Sequence, residues 1–351
     1  MDSSPLPKAK NCGLARTLLA VRTLRASFLG SLLVGLTLGA VTSKALSETE
    51  ADSPQSSAEK LFPEPSPLSF WIDLYRAEPV RFLEVMNDLS TVDIIYTGEI
   101  HTLDRHHYWQ TRILSGLIEK KKGQAVLALE PIEQFQQPLV DRFNDGEFDF
   151  NELAEAMNWS NRWSNFEDYR ALLELAQKND VPVLALNARA ETIRKIGRQG
   201  LESLSQEERN ELPETLNFDD PQYRQLLNML LMVHASMDES VLDRIFEAQV
   251  ARDEKMASTL AAFLSQPGNQ NRTALVIAGS GHIQYGLGTV SRVRSRLPEK
   301  KDRIVLMTES GELVLSEEEA AMSRDISITH EDLRFLQQPK ADYLQVTELQ
   351  E

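Results

Sequence analysis

The chain has 351 residues, of which 42% are hydrophobic and 26% charged, with 16 glycines and 15 prolines. That composition is globular and excludes collagen-like, coiled-coil and wholly disordered chains. The formal charge is −16, although the first 47 residues are cationic, and so acidic a body argues against nucleic acid as a partner.

The leader comes first. Lys8, Lys10, Arg16, Arg22 and Arg25 precede an apolar run from Phe28 to Val41, and Ala45-Leu46-Ser47 puts small residues at cleavage spacing. That run is short for a membrane span and normal for a signal-peptide core. Residues 1–47 are therefore expected to be a signal peptide, making the protein exported and periplasmic. The alternative is an uncleaved anchor attaching it to the inner membrane, because the run lengthens if Ala26 to Ser43 is counted. The only cysteine, Cys12, precedes the run, so it is no lipoprotein acceptor, and the body has no disulfide or cysteine metal site. Residues 48–67 are acidic and rich in serine and proline, a flexible tether with no core to bury.

The body, expected over 68–348, alternates short β-type runs with longer helical patterns. Strands are predicted at Val92–Thr97, Ala125–Leu129, Pro182–Leu186, Thr273–Ala278, Arg303–Thr308 and Asp342–Thr347. The first four are nearly continuous apolar runs, as in a parallel sheet covered on both faces. Helices are predicted at His106–Lys122, Phe166–Lys178 and Tyr285–Leu297. The fold class is α/β: a mostly parallel central sheet flanked by helices. Residues 190–266 hold no convincing strand and read as a helical insertion over the crevice at the strands' carboxyl ends.

The residues just past each strand carry the chemistry. Gly98-Glu99-Ile100-His101 comes after the first, Glu130-Pro131 after the second and Asn187-Ala188-Arg189 after the third. Gly279-Ser280-Gly281-His282 comes after the fourth and Glu309 after the fifth. In an open parallel sheet the carboxyl ends of the strands form the ligand crevice. A lone polar residue there is usually a turn or a cap. Two histidines, each three residues after a glycine, point to crevice chemistry, because glycine lets the backbone turn tightly.

Histidine is scarce, six in all, with His101, His106 and His107 in one short stretch. His107 and Gln110 share a helix face. His106 points about 100° away and is expected at the surface. His234 lies in an apolar helical stretch and reads as a core residue, and His330 as a surface one. Familiar catalytic signatures fail. There is no His-Glu-x-x-His, Walker loop or Gly-x-Ser-x-Gly elbow. The run from Gly279 to Gly286 opens like a dinucleotide loop, but Gln284 stands where that loop needs its third glycine.

Glu99 and His101 with His107 and Gln110, then Glu130, resemble the opening motifs of the ChaN-like haem-binding uptake proteins of the Tiki/TraB/erythromycin-esterase superfamily. The similarity continues through Gln249-x-x-Arg252-Asp253-x-x-Met256-Ala257, through Gly279 to His282 with Tyr285 and Gly288, and into Ala341 to Leu344. It spans about residues 68–348 in order, although each motif is short.

The resemblance implies haem as cofactor and a role in haem or iron uptake. Haem needs an apolar slot, an axial ligand and cations for its propionates. The residues set out for it are His101, His107, His282, Tyr285, Arg189 and Arg252. Tyr285, three residues after His282, would share its side of a helix start, with Tyr108 and Tyr96 as weaker ligands. Arg189 and Arg252 either pair propionates or neutralise Glu99 and Glu130. Met256 reads as packing. The alternative is a metal-dependent hydrolase in which Glu99, His101, Glu130 and His282 hold a divalent metal ion or activate water. A third reading is a non-catalytic binding or scaffold module. A homodimer sharing a site is compatible with the haem reading.

Overall fold

Apolar runs build one eight-stranded sheet in the computed structural model, which describes residues 69–232, 238–310 and 329–348. The leader, the tether and His234 lie outside the described residues. The strands are β1 (Ser69–Asp73), β2 (Glu78–Val80), β3 (Ile94–Glu99), β4 (Ala125–Glu133), β5 (Val183–Asn187), β6 (Thr273–Gly279), β7 (Asp302–Ser310) and β8 (Tyr343–Glu348). Their order across the sheet is β2-β1-β8-β7-β3-β6-β4-β5. From β8 to β5 every pairing is parallel, and β1 joins β8 and β2 antiparallel. The α/β expectation holds.

The helices are α1 (Phe82–Leu89), α2 (Asp104–Lys121), α3 (Gln137–Asn144), α4 (Phe150–Ala156), α5 (Arg170–Lys178), α6 (Ala190–Gln199), α7 (Gln206–Asn210), α8 (Pro221–Met232), α9 (Glu239–Ser265), α10 (Thr289–Arg296) and α11 (His330–Leu333). Among the described residues none is long and apolar enough to cross a membrane. Successive strand residues point to opposite faces, so each apolar strand feeds two cores. Ile95, Leu127, Leu129 and Ile277 pack with Ile113, Leu117 and Leu172 of α2 and α5. Tyr96, Val126, Ala128 and Val276 pack on the other face with Met256, Leu260 and Val293 of α9 and α10.

Between 190 and 266 the described residues form helix and no strand. The long helix α9 joins that insertion to the sheet. Its Phe246 and Val250 pack with Tyr223 and Leu226 of α8, while its Met256, Leu260 and Leu264 cover strands.

The differences from the sequence reading have local causes. The β1–β2 hairpin is absent from the predicted strands, since so few of its side chains point inward. The helix expected from Phe166 starts as a 3-10 turn over Phe166–Tyr169. The helix expected from Tyr285 begins only at Thr289, because Tyr285, Gly286 and Gly288 all have positive φ. Strands β3 and β4 run on to include Glu99 and Glu130, so both carboxylates stand in the sheet rather than in a loop.

Candidate functional site

The order β3-β6-β4 brings three strand ends side by side. Glu99 ends β3, Glu130 lies near the end of β4, and the Gly279–His282 turn leaves β6 between them. All three polar side chains are buried, together with His101. Glycine is needed next to Glu99, because a Cβ on Gly98 would stand 2.3 Å from Leu306 Cδ2.

Glu99 is fully engaged. One oxygen accepts from His101 Nδ1 at 2.6 Å and from the Tyr169 hydroxyl, and the other accepts from the Gln110 amide. Burial pushes its carboxyl pKa up, but His107, His101 and Gln110 more than offset this and take it down to about 2. The role of Glu99 is therefore to orient His101, whose Nε2 is left to face Glu130 Oε2 at 4.0 Å. Burial opposes charge on His101, yet Glu99 and Glu130 together raise its pKa. His107 lies behind this pair: its Nε2 donates to the His101 carbonyl at 2.9 Å, and its Nδ1 meets Gln110 Oε1 at 3.1 Å. Asn165 also donates to the His101 carbonyl, and the Trp163 and His101 rings stand nearly perpendicular with centroids 4.7 Å apart.

A second carboxylate–imidazole pair faces the first. His282 Nδ1 donates to Asp253 Oδ1 at 2.7 Å, and its Nε2 lies 3.3 Å from Glu130 Oε1. Asp253 also accepts from the Tyr223 hydroxyl and Thr289 Oγ1, each at 2.8 Å. Burial works against a charged His282, but Glu130 and Asp253 raise its pKa to about 9. Glu130 accepts the Gly279 N–H through Oε2 at 2.6 Å. Despite its burial, His282, then His101 and Arg252, hold its carboxyl well below the usual range.

The fold thus brings Glu99, His101, Glu130 and His282 together, with Arg252 at the rim 3.9 Å from Glu130 Oε1. It places Arg189 elsewhere, donating to Glu211 at 2.7 Å and lying 3.8 Å over the Phe135 ring. Tyr285 does not share a helix face with His282. Two 3-10 turns, Ser280–His282 and Gln284–Gly286, are broken at Ile283. His282 turns into the crevice, while Tyr285 packs partly buried beside Tyr223, Phe246 and Leu287. Tyr96 and Tyr108 belong to the two sheet cores, as does Met256, and His330 is exposed as expected.

His106 corrects the sequence reading. It is fully buried rather than at the surface, and its Nδ1 accepts the Ile100 N–H at 3.0 Å. Burial lowers its pKa to about 3, so it stays neutral and pins the loop that carries His101. Tyr169, Trp163 and Asp253 join the site without having been candidates for it. Asp253 and Gln249 are four apart on α9, which puts both on the face toward His282, whereas no sequence signal marks Tyr169.

Among the described residues no group of three or more His, Cys, Asp or Glu side chains is placed to hold a metal ion. Glu99 is turned on His101 and Asp253 on His282, while His101 Nε2 and Glu130 Oε1 are buried without a hydrogen-bond partner. Chemically they offer an oriented imidazole nitrogen, a carboxylate between two imidazoles, and a guanidinium at the mouth.

Comparison with known proteins bears on the family and the fold. Residues 85–293 match the family model described as haem-binding uptake, Tiki superfamily, ChaN. The fold is similar to that of ChaN of Campylobacter jejuni, solved with cofacial haem, at a TM-score of 0.60 and 20% identity, covering 81% of this chain and 99% of that one. An erythromycin esterase mutant in its open conformation gives a TM-score of 0.41 and 11% identity, covering 68% of this chain and 77% of that one. A curated relative, Protein RETICULATA-RELATED 5, chloroplastic, of Arabidopsis thaliana, is 23% identical over 257 residues. The match covers 68% of this chain but 34% of the relative, so the chain spans about a third of that protein's length.

Proposed function

The chain belongs to the ChaN family of haem-binding uptake proteins of the Tiki superfamily, and from that premise we propose that it binds haem and serves haem or iron uptake outside the cytoplasm. The family match over residues 85–293 carries this reading. The residues also fit the group. Haem needs an apolar surface, an axial donor and partners for its carboxylates. Tyr285 is partly buried in an apolar cluster with Phe218, Met229 and Phe335, and its hydroxyl has no hydrogen-bond partner among the described residues. Met229 and Phe335 also line a cleft of about 600 Å³ whose other walls are mostly polar, among them Arg224, Gln225, Glu331 and Asp332, a size suited to a small-molecule ligand. When bound, the iron would supply the ligand-binding and redox chemistry. The chain's part is to offer an oxygen donor, to exclude water with the α8 and α9 side chains and to receive the carboxylates. The test is a haemin titration of residues 48–351: a saturable Soret shift supports the reading, and its absence removes it.

The exported location belongs to the same proposal and draws on the charge and apolar pattern of residues 1–47. Fractionation and intact mass separate a cleaved signal peptide from an inner-membrane anchor. A homodimer is included, to be checked by light scattering with and without haemin.

A second reading draws on the Glu99–His101 pair aimed at Glu130: a hydrolase acting through this crevice. A divalent metal would take the place of the proton that His282 Nε2 turns toward Glu130, so chelator-sensitive turnover of an ester or peptide is its test.

A further inference from the structure

The outer edge of the sheet at β5 is closed by side chains rather than by a strand. β5 ends the strand order, and its inner side pairs with β4 in parallel, the Leu127 N–H reaching the Pro182 carbonyl. Alternate residues of a parallel strand turn both backbone groups outward, here Val183 and Ala185 among them. Such an edge is a template for another chain, and Val183 to Leu186 is wholly apolar, with no charge to discourage pairing. These groups are nevertheless taken. Asn144 Oδ1 accepts the Val183 N–H at 2.9 Å, and its Nδ2 donates to the Val183 carbonyl at 3.1 Å. Gln137 Oε1 accepts the Ala185 N–H at 2.7 Å, and its Nε2 donates to the Val183 carbonyl at 3.2 Å. A side-chain amide offers the same donor and acceptor as a peptide group of an added strand. Gln137 and Asn144 are the first and last residues of α3, two turns apart, and so share a face. Val183 and Ala185 are buried. At the opposite edge β2 is only three residues long and carries Pro79, which has no N–H to offer.

We propose that Gln137 and Asn144 are an edge seal: two amides that stand in for a further strand and keep a second copy of this chain from pairing with β5. The seal is independent of the haem reading and of the crevice chemistry. Its consequence for assembly is specific. With β5 sealed by α3 and β2 closed by its length and its proline, the sheet extends at neither end, so self-association of this chain, the homodimer included, runs through helical faces. A buried N–H or carbonyl without a partner is costly, so the same amides also hold β5 against β4. Removing them frees outward groups on an apolar, uncharged strand, and the partner that fits such an edge best is the same strand of another copy.

The experiment reads amide hydrogen exchange and sedimentation on the full chain. In the parent, the Val183 and Ala185 amides should exchange as slowly as those that pair β5 with β4, although they face outward; exchange at the rate of an open edge would overturn the seal outright. In Gln137→Ala with Asn144→Ala, both amides should exchange at least about tenfold faster, and the sedimenting mass should rise with concentration beyond that of the parent. Gln137→Glu with Asn144→Asp removes the donors but puts negative charge on the edge, so exchange should quicken while the mass stays that of the parent. Thermal melting monitors folding, and if the double alanine variant unfolds, Asn144→Ala and Gln137→Ala alone give the same two readings. Unchanged exchange in the alanine variants would show that the amides are not the partners of β5. Faster exchange with the mass of the parent would leave them a role in stability and overturn the block on pairing. Equal self-association of the alanine and acidic variants would trace it to an exposed core rather than to the strand edge, and would overturn the proposal as well.

Discussion

The imidazole of His282 is clamped to the carboxylate of Asp253, Nδ1 to Oδ1 at 2.7 Å, and this contact adds a polar tie between the helical insertion and the sheet to the apolar packing of α9. Asp253 sits on α9 and accepts from Tyr223 of α8; His282 sits at the end of β6 and reaches Glu130 of β4. A proton on His282 thus holds two carboxylates from two layers.

That proton sets an alkaline limit on stability. The folded pKa is raised to about 9, above the ordinary value near 6.5. The stabilisation is complete below the ordinary value, fades as pH rises and is gone above about 9. The gap in unfolding free energy between the parent chain and His282→Asn should shrink by on the order of 3 kcal/mol from about pH 6 to about pH 10. Urea titrations at several pH values read it directly. A gap that stays constant with pH would show that His282 is not held as a cation.

Acid acts through His106. Burial lowers its pKa to about 3, so its contribution is intact above the ordinary value and is lost as pH falls toward 3. Protonation would also turn the Nδ1 acceptor of the Ile100 N–H into a donor. His106→Asn, which can accept but not titrate, should unfold at lower pH than the parent, at a neutral-pH cost of about 1 kcal/mol for the smaller side chain. Circular dichroism against pH checks it, and an unchanged acid midpoint would assign the acid transition to other groups.

Much of this site is legible in the chain because its parts lie at strand ends. Glu99, Glu130 and His282 come after apolar runs that leave little choice but buried strands, and the strand-end rule gathers them. His106 escapes because a helical wheel locates a side chain on its own helix only; the Ile100 loop, folding back over α2, covers it. Tyr285 departs for a different reason. Its spacing from His282 assumes a helix that positive φ angles at Tyr285, Gly286 and Gly288 interrupt. Tyr169 reaches Glu99 across seventy residues of chain, and no local pattern encodes that pairing.

The two glutamates should respond differently to loss of charge. Glu99 accepts from His101, Tyr169 and Gln110, and glutamine at this position would turn an amide donor toward one of these donors. Glu99→Gln should cost about 2–4 kcal/mol. Glu130→Gln keeps an oxygen for the Gly279 N–H and mainly removes the charge beside His282, so it should cost less and lower the His282 pKa. Melting curves with histidine NMR titration separate the two. A Glu99→Gln variant as stable as the parent would remove Glu99 as the group that fixes His101.

The last expectation concerns Tyr285, which stands apart from the imidazoles. Its side chain is partly buried among Tyr223, Phe246 and Leu287, and burial raises its phenol pKa. Because the hydroxyl has no hydrogen-bond partner among the described residues, Tyr285→Phe keeps the packing and strands no other group, so melting should change by less than about 0.5 kcal/mol. If the oxygen ligates ferric haem, affinity for haemin should still fall at least about tenfold, or roughly 1.4 kcal/mol. His282→Ala should do the reverse. It breaks the clamp between Asp253 and Glu130 and lowers stability, with a smaller loss in haemin affinity per folded molecule. Haemin titrations of both variants, corrected for folded fraction, make the comparison. A larger haemin loss in His282→Ala than in Tyr285→Phe would move the ligand from the apolar cluster into the crevice, and the tyrosine would then be packing alone.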